Sequence, residues 1–123
     1  MSTTVANDPK HVVAMIGGAV AGSTAAQVLT DAGVIVVVIE QNVRPYGKIE
    51  DGLPRWHTKQ RLMEYERINS RLDKPGVFFV PNTRLGTDVG FQELIGDWGF
   101  SAVILANGAW KDRPLPAEID KYL

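Results

Sequence analysis

Gly17-Gly18-Ala19-Val20-Ala21-Gly22 lies between a short apolar run, His11 to Ile16, and a segment in which Ala25, Val28, Leu29 and Ala32 recur at helical spacing up to Gly33. Small residues at a strand-to-helix bend let the backbone approach an anion, and the first N–H groups of the helix have no partner of their own. Glu40 stands 18 positions after Gly22, at the end of the next apolar run. An acid there accepts hydrogen bonds from ribose hydroxyls, and its charge repels a 2′-phosphate. Bend, helix start and acid together predict a site for the diphosphate and adenosine of a dinucleotide, FAD or NAD rather than NADP. The alternatives are a glycine-rich turn that binds nothing and a Glu40 that is an ordinary strand-end carboxylate. Ala19 occupies the position of the middle glycine, so a methyl group stands at the point of closest phosphate approach. Its N–H survives, and weaker or slightly displaced binding is expected, with a cost on the order of 1 kcal/mol if the residue must adopt φ > 0.

Such a site needs a βαβ unit to hold it. Val34 to Ile39 (VIVVVI) lacks polar alternation, as a parallel strand covered on both faces does, so the chain from His11 reads strand, tight turn, helix, strand. From Gln41 to Thr58 it turns irregular, with Pro45, Gly47, Gly52 and Pro54 close together, and a long loop of this kind is often functional. Leu62, Tyr65, Ile68 and Leu72 then mark one side of a helix whose other side, with Lys59, Arg61, Glu64, Glu66, Arg67 and Arg71, is expected in water. Val77 to Val80 (VFFV) reads as a third strand and Ala102 to Ala106 as a fourth. Between them Phe91, Leu94, Ile95 and Trp98 mark a short amphipathic helix closed by Gly99, with Trp98 in the core. The predicted fold is α/β: a Rossmann-like parallel sheet of about four strands in the order 3-2-1-4 with helices on both faces. Residues 1–10, polar and containing Pro9, read as a disordered leader, 11–111 as the nucleotide-binding domain, and 112–123, with Pro114 and Pro116, as a linker.

Composition removes several other functions. Thirteen Lys and Arg against 14 Asp and Glu give a net charge of −1, which offers no bulk attraction to nucleic acid or an anionic membrane. With no cysteine, the chain holds neither a disulfide nor a thiolate-ligated cluster, so redox chemistry would have to come from a bound cofactor. His11 and His57 lack ligand-type neighbours at metal spacing, and no metal is expected. The run from Val34 to Ile39 falls far short of the ~20 apolar residues that span a bilayer. Val12 to Ala26, superficially like a signal peptide, is interrupted by three glycines, so a cytoplasmic protein is expected. Ser23 is expected to cap the helix or touch phosphate rather than act as a nucleophile, because no Gly-x-Ser-x-Gly elbow surrounds it.

Past Glu40 the residues narrow to a family. Arg44-Pro45-Tyr46-Gly47, followed by Gly52-Leu53-Pro54, resembles the segment after the ribose-binding acid in flavoprotein oxidoreductases with two dinucleotide-binding domains. Asn82 to Val89 (NTRLGTDV) looks like the family's third-strand exit, and Val103 to Ala109 (VILANGA) like its second flavin motif. The likeness covers roughly residues 11 to 116 and is nearest to the branch of glutamate synthase small subunits and adrenodoxin-type ferredoxin NADP reductases.

The resemblance implies that Gly17, Ala19, Val20, Ala21 and Gly22 bind the FAD diphosphate and Glu40 the adenosine ribose, with Gln41 in the same cofactor site. Arg44, Gly47 and Lys48 would approach the ribityl chain or flavin end. The backbone of Leu85 would meet the adenine, and Ala106, Asn107 and Gly108 would lie under the diphosphate. Three positions depart from the pattern: Tyr46 where a second glycine is common, Lys48 where an apolar residue is common, and Asn107 where Thr is common. A lysine near the flavin would stabilise an anionic reduced ring electrostatically, the alternative being a solvated loop lysine. No catalytic side chain is indicated. In the family, a segment like Arg113-Pro114-Leu115-Pro116 leads into a second domain that binds NAD(P)H. This chain, which ends at Leu123, is therefore expected to be a fragment or one piece of a split enzyme. The edge beside the fourth strand would then be covered by the missing segment, a partner subunit or self-association.

The expected function is the FAD-binding part of an NAD(P)H-dependent flavoprotein oxidoreductase. Electrons would pass from a pyridine nucleotide through FAD to an acceptor such as an iron–sulfur protein. The alternative is a non-catalytic Rossmann module that binds NAD or ADP, a regulatory or docking subunit.

Overall fold

A computed structural model describes residues 11–109. The leader expected at 1–10, the linker expected at 112–123, and Trp110 lie outside the described residues. The elements run β1 (Val12–Ile16), α1 (Val20–Asp31), β2 (Ile35–Ile39), α2 (Lys48–Gly52), α3 (Thr58–Leu72), β3 (Val77–Val80), a π-helix (Glu93–Asp97) and β4 (Ala102–Leu105). All four strands are parallel, in the order β3-β2-β1-β4, as the sequence predicts.

Ile16 is in register with Ile39 on one side and Leu105 on the other, and Ile39 with Val80. The carboxyl ends of the strands therefore finish in one row. Chain order reverses between β1 and β4, and in open parallel sheets the crevice outside such a reversal is where ligands bind.

One face of the sheet packs Met15, Val36 and Val38 under Ala26 and Leu29 of α1 and Leu72 of α3. The other face packs Ala14, Ile16 and Ile39 against Leu85, Val89, Leu94 and Phe100. Two long helices thus cover one face, and a connecting segment with a single π-helical turn covers the other.

The structure revises four readings of the sequence. The irregular stretch after Gln41 contains a helix, α2, whose Ile49 is buried; five residues are too few to show a 3.6-residue period among prolines and glycines. Of the stripe on α3, Ile68 is fully buried but Leu62 is 59% exposed. The element after Gly90 is a π-helix, closed by the Trp98 N–H on the Glu93 carbonyl at 2.9 Å. The extra residue per turn breaks the expected spacing. Leu94 alone of its four apolar residues is buried, and Trp98, expected in the core, is 54% exposed. Fourth, the charged side of α3 is not wholly in water: Arg61 and Arg71 are half-buried, and the Nη1 of Arg71 is buried without a hydrogen-bond partner. An unsatisfied buried donor costs about 1–3 kcal/mol, partly offset here by the exposed remainder of the side chain. Arg71→Met is therefore expected to leave the chemical-denaturation midpoint unchanged or to raise it; a marked fall would mean that the guanidinium is paired.

Candidate functional site at the strand ends

The bend after β1 is built backbone against backbone. Gly17 has φ +101°, a conformation open to glycine, and its N–H donates to the Ile39 carbonyl at 2.9 Å. A Cβ on Gly17 would strike the Ala106 carbonyl, and one on Gly22 would strike the carbonyl of Gly17. The glycines thus lock the bend to the exit of β4 and to the first turn of α1.

Ala19 has φ −77° and ψ −148°. Its methyl carries no left-handed strain, so the cost that a positive φ would have imposed does not arise. As N-cap, Ala19 offers no side-chain acceptor, and the first turn of α1 contains no acid. A 12-residue helix thus begins without the side-chain acceptor that Ser, Thr, Asp or Asn normally provides. Ser23, expected to cap or to touch phosphate, is instead fully buried, and its hydroxyl donates to the Val20 carbonyl at 3.3 Å.

Glu40 is 5% exposed. Its Oε1 accepts the Gly18 N–H at 2.9 Å and its Oε2 accepts the Asn42 N–H at 2.9 Å. The carboxylate therefore ties the glycine bend to the exit of β2, and each oxygen retains acceptor capacity for a ribose hydroxyl. The chain leaving β3 is fastened alongside: the Asn82 N–H donates to the Asn42 carbonyl and the Thr83 N–H to the Glu40 carbonyl.

These pieces surround a cleft of about 630 Å³. Gly17, Ala19, Val20 and Ala21 line it at the glycine bend, and Glu40 and Gln41 at the end of β2. Gly47 and Lys48 line it from the loop into α2, Leu85 from the segment after β3, and Ala106, Asn107 and Gly108 from the exit of β4. Two residues of the expected site are not part of the lining. Gly22 sits behind the bend, where it supports Gly17. Arg44 is turned to Glu50, with which it forms an ion pair at 3.3 Å.

The cleft also takes in residues that the sequence reading passed over. Ile16, Ile39 and Leu105 line it; each ends a parallel strand, and that position was a usable signal. Asn42, Ile49, Thr83, Arg84 and Ala109 follow from chain segments that only the fold brings together. Tyr46, noted as a departure from the family pattern, is both wall and strut. Its ring stacks on Tyr65 of α3 at 4.0 Å between centroids, and its hydroxyl donates to Asn69 Oδ1 at 3.1 Å. Arg61 extends the brace, donating to the Leu53 carbonyl and the Tyr65 hydroxyl.

Parallel sheet, glycine bend, uncapped helix start and buried acid define the class: a Rossmann-type α/β module with a cleft at its strand ends. The family resemblance read from the motifs is shown by the relatives. The chain is a homologue of the glutamate synthase [NADPH] small chain of Mycobacterium tuberculosis, 38% identical over 111 residues, which cover 86% of this chain and 21% of that one. The Bacillus subtilis glutamate synthase [NADPH] small chain is 37% identical over 106 residues, again 86% and 21% of the two chains. Among solved structures, FprA from Mycobacterium tuberculosis superposes with a TM-score of 0.78 at 25% identity, covering 89% of this chain and 26% of that protein. No protein-family profile matches the chain. The chain spans about a fifth of the length of the curated relatives it matches, 21% in both glutamate synthase chains. No helix among the described residues is long and apolar enough to cross a membrane.

Proposed function

We propose that this chain is the FAD-binding part of an NAD(P)H-dependent flavoprotein oxidoreductase. The observation that carries the reading is the junction of three backbone elements at one cleft: the uncapped start of α1, the Gly17 bend and the exit of β4. The cradle fits a diphosphate, because side chains at Gly17 or Gly22 would collide with the backbone that shapes it, and because free N–H groups and the helix dipole favour negative charge. Gly17, Ala19, Val20 and Ala21 would hold the diphosphate from one side and Ala106, Asn107 and Gly108 from the other. Glu40 would take the adenosine ribose, with Gln41 and Leu85 beside it. Gly22 would act from behind, by holding the bend in shape.

When bound, FAD would supply the hydride and electron chemistry, and the chain's own contribution would be binding, orientation and electrostatics. Residues 11–111 would form the nucleotide-binding domain, 112–123 a linker towards the NAD(P)H-binding portion. Two observations support electron transfer between subunits. Two of the relatives are named as small chains of an NADPH enzyme, and the Escherichia coli protein PreT, 30% identical over 82 residues, is named as a subunit of an NAD-dependent dihydropyrimidine dehydrogenase. The acceptor would be carried by a partner subunit, with an iron–sulfur protein the chemical class that fits.

The test is direct. The purified chain mixed with FAD and passed through a desalting column is expected to retain a visible flavin band at a ratio approaching one per chain. A chain that emerges colourless, yet binds NAD tightly by calorimetry, would replace this reading with that of a pyridine-nucleotide module.

A further inference from the structure

We infer that Lys48 is a diphosphate-binding residue, reaching the anion from the loop that packs against Ala19 at the start of α1. The inference rests on the reading of the cleft as a dinucleotide site and names a contact that reading does not contain.

Three charged side chains line the cleft: Glu40, Lys48 and Arg84. Glu40 is buried and already holds two backbone N–H groups. Arg84 follows directly on Thr83, whose N–H is fixed to the Glu40 carbonyl, and so belongs to the ribose side of the cleft. Lys48 lines the cleft from the loop into α2 and is exposed. The acid two positions on, Glu50, is engaged by Arg44, and among the described side chains Lys48 has no ion-pair partner. An exposed cation that lines a cleft and is held in no ion pair among the described side chains is available to an anion.

Where Lys48 sits along the cleft follows from its neighbour. A Cβ built on Gly47 would come 3.0 Å from the Ala19 methyl. The loop is therefore packed against the glycine bend itself, at the residue expected to approach the diphosphate most closely, rather than displaced towards a far end of the cleft. It is also held rigidly. Tyr46 is clamped by Tyr65 and Asn69, the Ile49 N–H donates to the Tyr46 carbonyl at 3.0 Å, and the Ile49 side chain is buried. Lys48 thus extends from a braced backbone, and only its own side chain has to be ordered on binding. The Ala19 methyl takes space where a phosphate would approach, and the Lys48 ammonium, carried on the loop packed against that methyl, would supply attraction there.

The test compares the full chain with Lys48→Met and Lys48→Arg in calorimetric titrations with ADP and with FAD. Lys48→Met is expected to weaken both ligands by about tenfold or more, since both carry the diphosphate, and Lys48→Arg to recover most of the loss. Equal thermal midpoints for the three proteins would show that the fold is untouched. If Lys48→Met weakens FAD but binds ADP like the parent chain, Lys48 acts at the flavin end and the inference is overturned. It is overturned equally if neither ligand is affected while the parent chain binds both. A parent chain that binds neither ligand overturns the dinucleotide reading, and this inference falls with it.

Discussion

Gly22→Ala is expected to abolish FAD retention and to destabilise the chain, although the same change in most helices does the opposite. Alanine exceeds glycine by about 1 kcal/mol in helix propensity. Here the added methyl would enter the space of the Gly17 carbonyl, and Gly17 is itself pinned by its N–H bond to Ile39 and by the Ala106 carbonyl beside it. Forcing a methyl into a packed site costs about 1–3 kcal/mol, and the upper end applies when the obstacle is backbone that cannot rotate away. The clash therefore outweighs the propensity gain. A net loss of about 1–2 kcal/mol should appear as a lowered denaturation midpoint, and the displaced bend should no longer hold a diphosphate. Gly22→Ala protein with undiminished flavin binding would show that the bend is not the diphosphate cradle.

Glu40→Ala carries the second large effect, because one side chain fastens two segments. Its hydrogen bond from the Gly18 N–H is buried and that from the Asn42 N–H is part-buried, and both end on a carboxylate that is itself 5% exposed. Bonds to charged groups contribute about 1.5–3 kcal/mol each, and both donors would be left without that acceptor. A loss of about 3–5 kcal/mol is expected, a large part of the 5–15 kcal/mol that holds a typical domain together. Glu40→Gln retains one amide oxygen as acceptor and turns an NH₂ towards the other donor, so its stability should fall between parent and Glu40→Ala. Denaturant titrations of the three proteins give the order. The affinity for adenosine-containing ligands should follow it, because the same carboxylate shapes the bend and, in the proposed reading, would take the ribose. An alanine variant as stable as the parent would mean that the bend is held by its glycines alone.

The strand–bend–helix–strand unit was legible because its signals are local. Val34 to Ile39 can be read as a doubly covered strand from six residues, and the glycines from 17 to 22 announce a bend without reference to anything distant. These local signals point to the glycine bend and to Glu40, and Gly17, Ala19, Val20, Ala21 and Glu40 do line the cleft. Lys48, Leu85 and Ala106 to Gly108 came from the family resemblance, and the structure places them around the same cleft. What stayed illegible depends on contacts between residues far apart in the chain. Nothing in the sequence pairs Tyr46 with Tyr65, yet their stack fixes the loop that carries Lys48. Arg44, grouped with Lys48 by resemblance, is drawn away by Glu50. Trp98 was misplaced because a π-helix changes the period on which the inward face was read.

The pairing of Ala19 with Gly47 has a similar lesson. Taken from the motif alone, Ala19 is a defect in a phosphate-binding turn. In the fold its φ of −77° is unstrained and its methyl meets the Gly47 backbone, so the substitution reshapes the cleft wall without costing the bend its geometry.

The most direct measurement is amide NMR of the ¹⁵N-labelled full chain titrated with FAD. The largest shift changes are predicted at the N–H groups of residues 17–22, 40–42 and 106–108, which border the cleft from three strand ends. Shifts confined to the outer surface of α3, or none at saturating FAD, would contradict the assignment of the α1 start as the cofactor cradle.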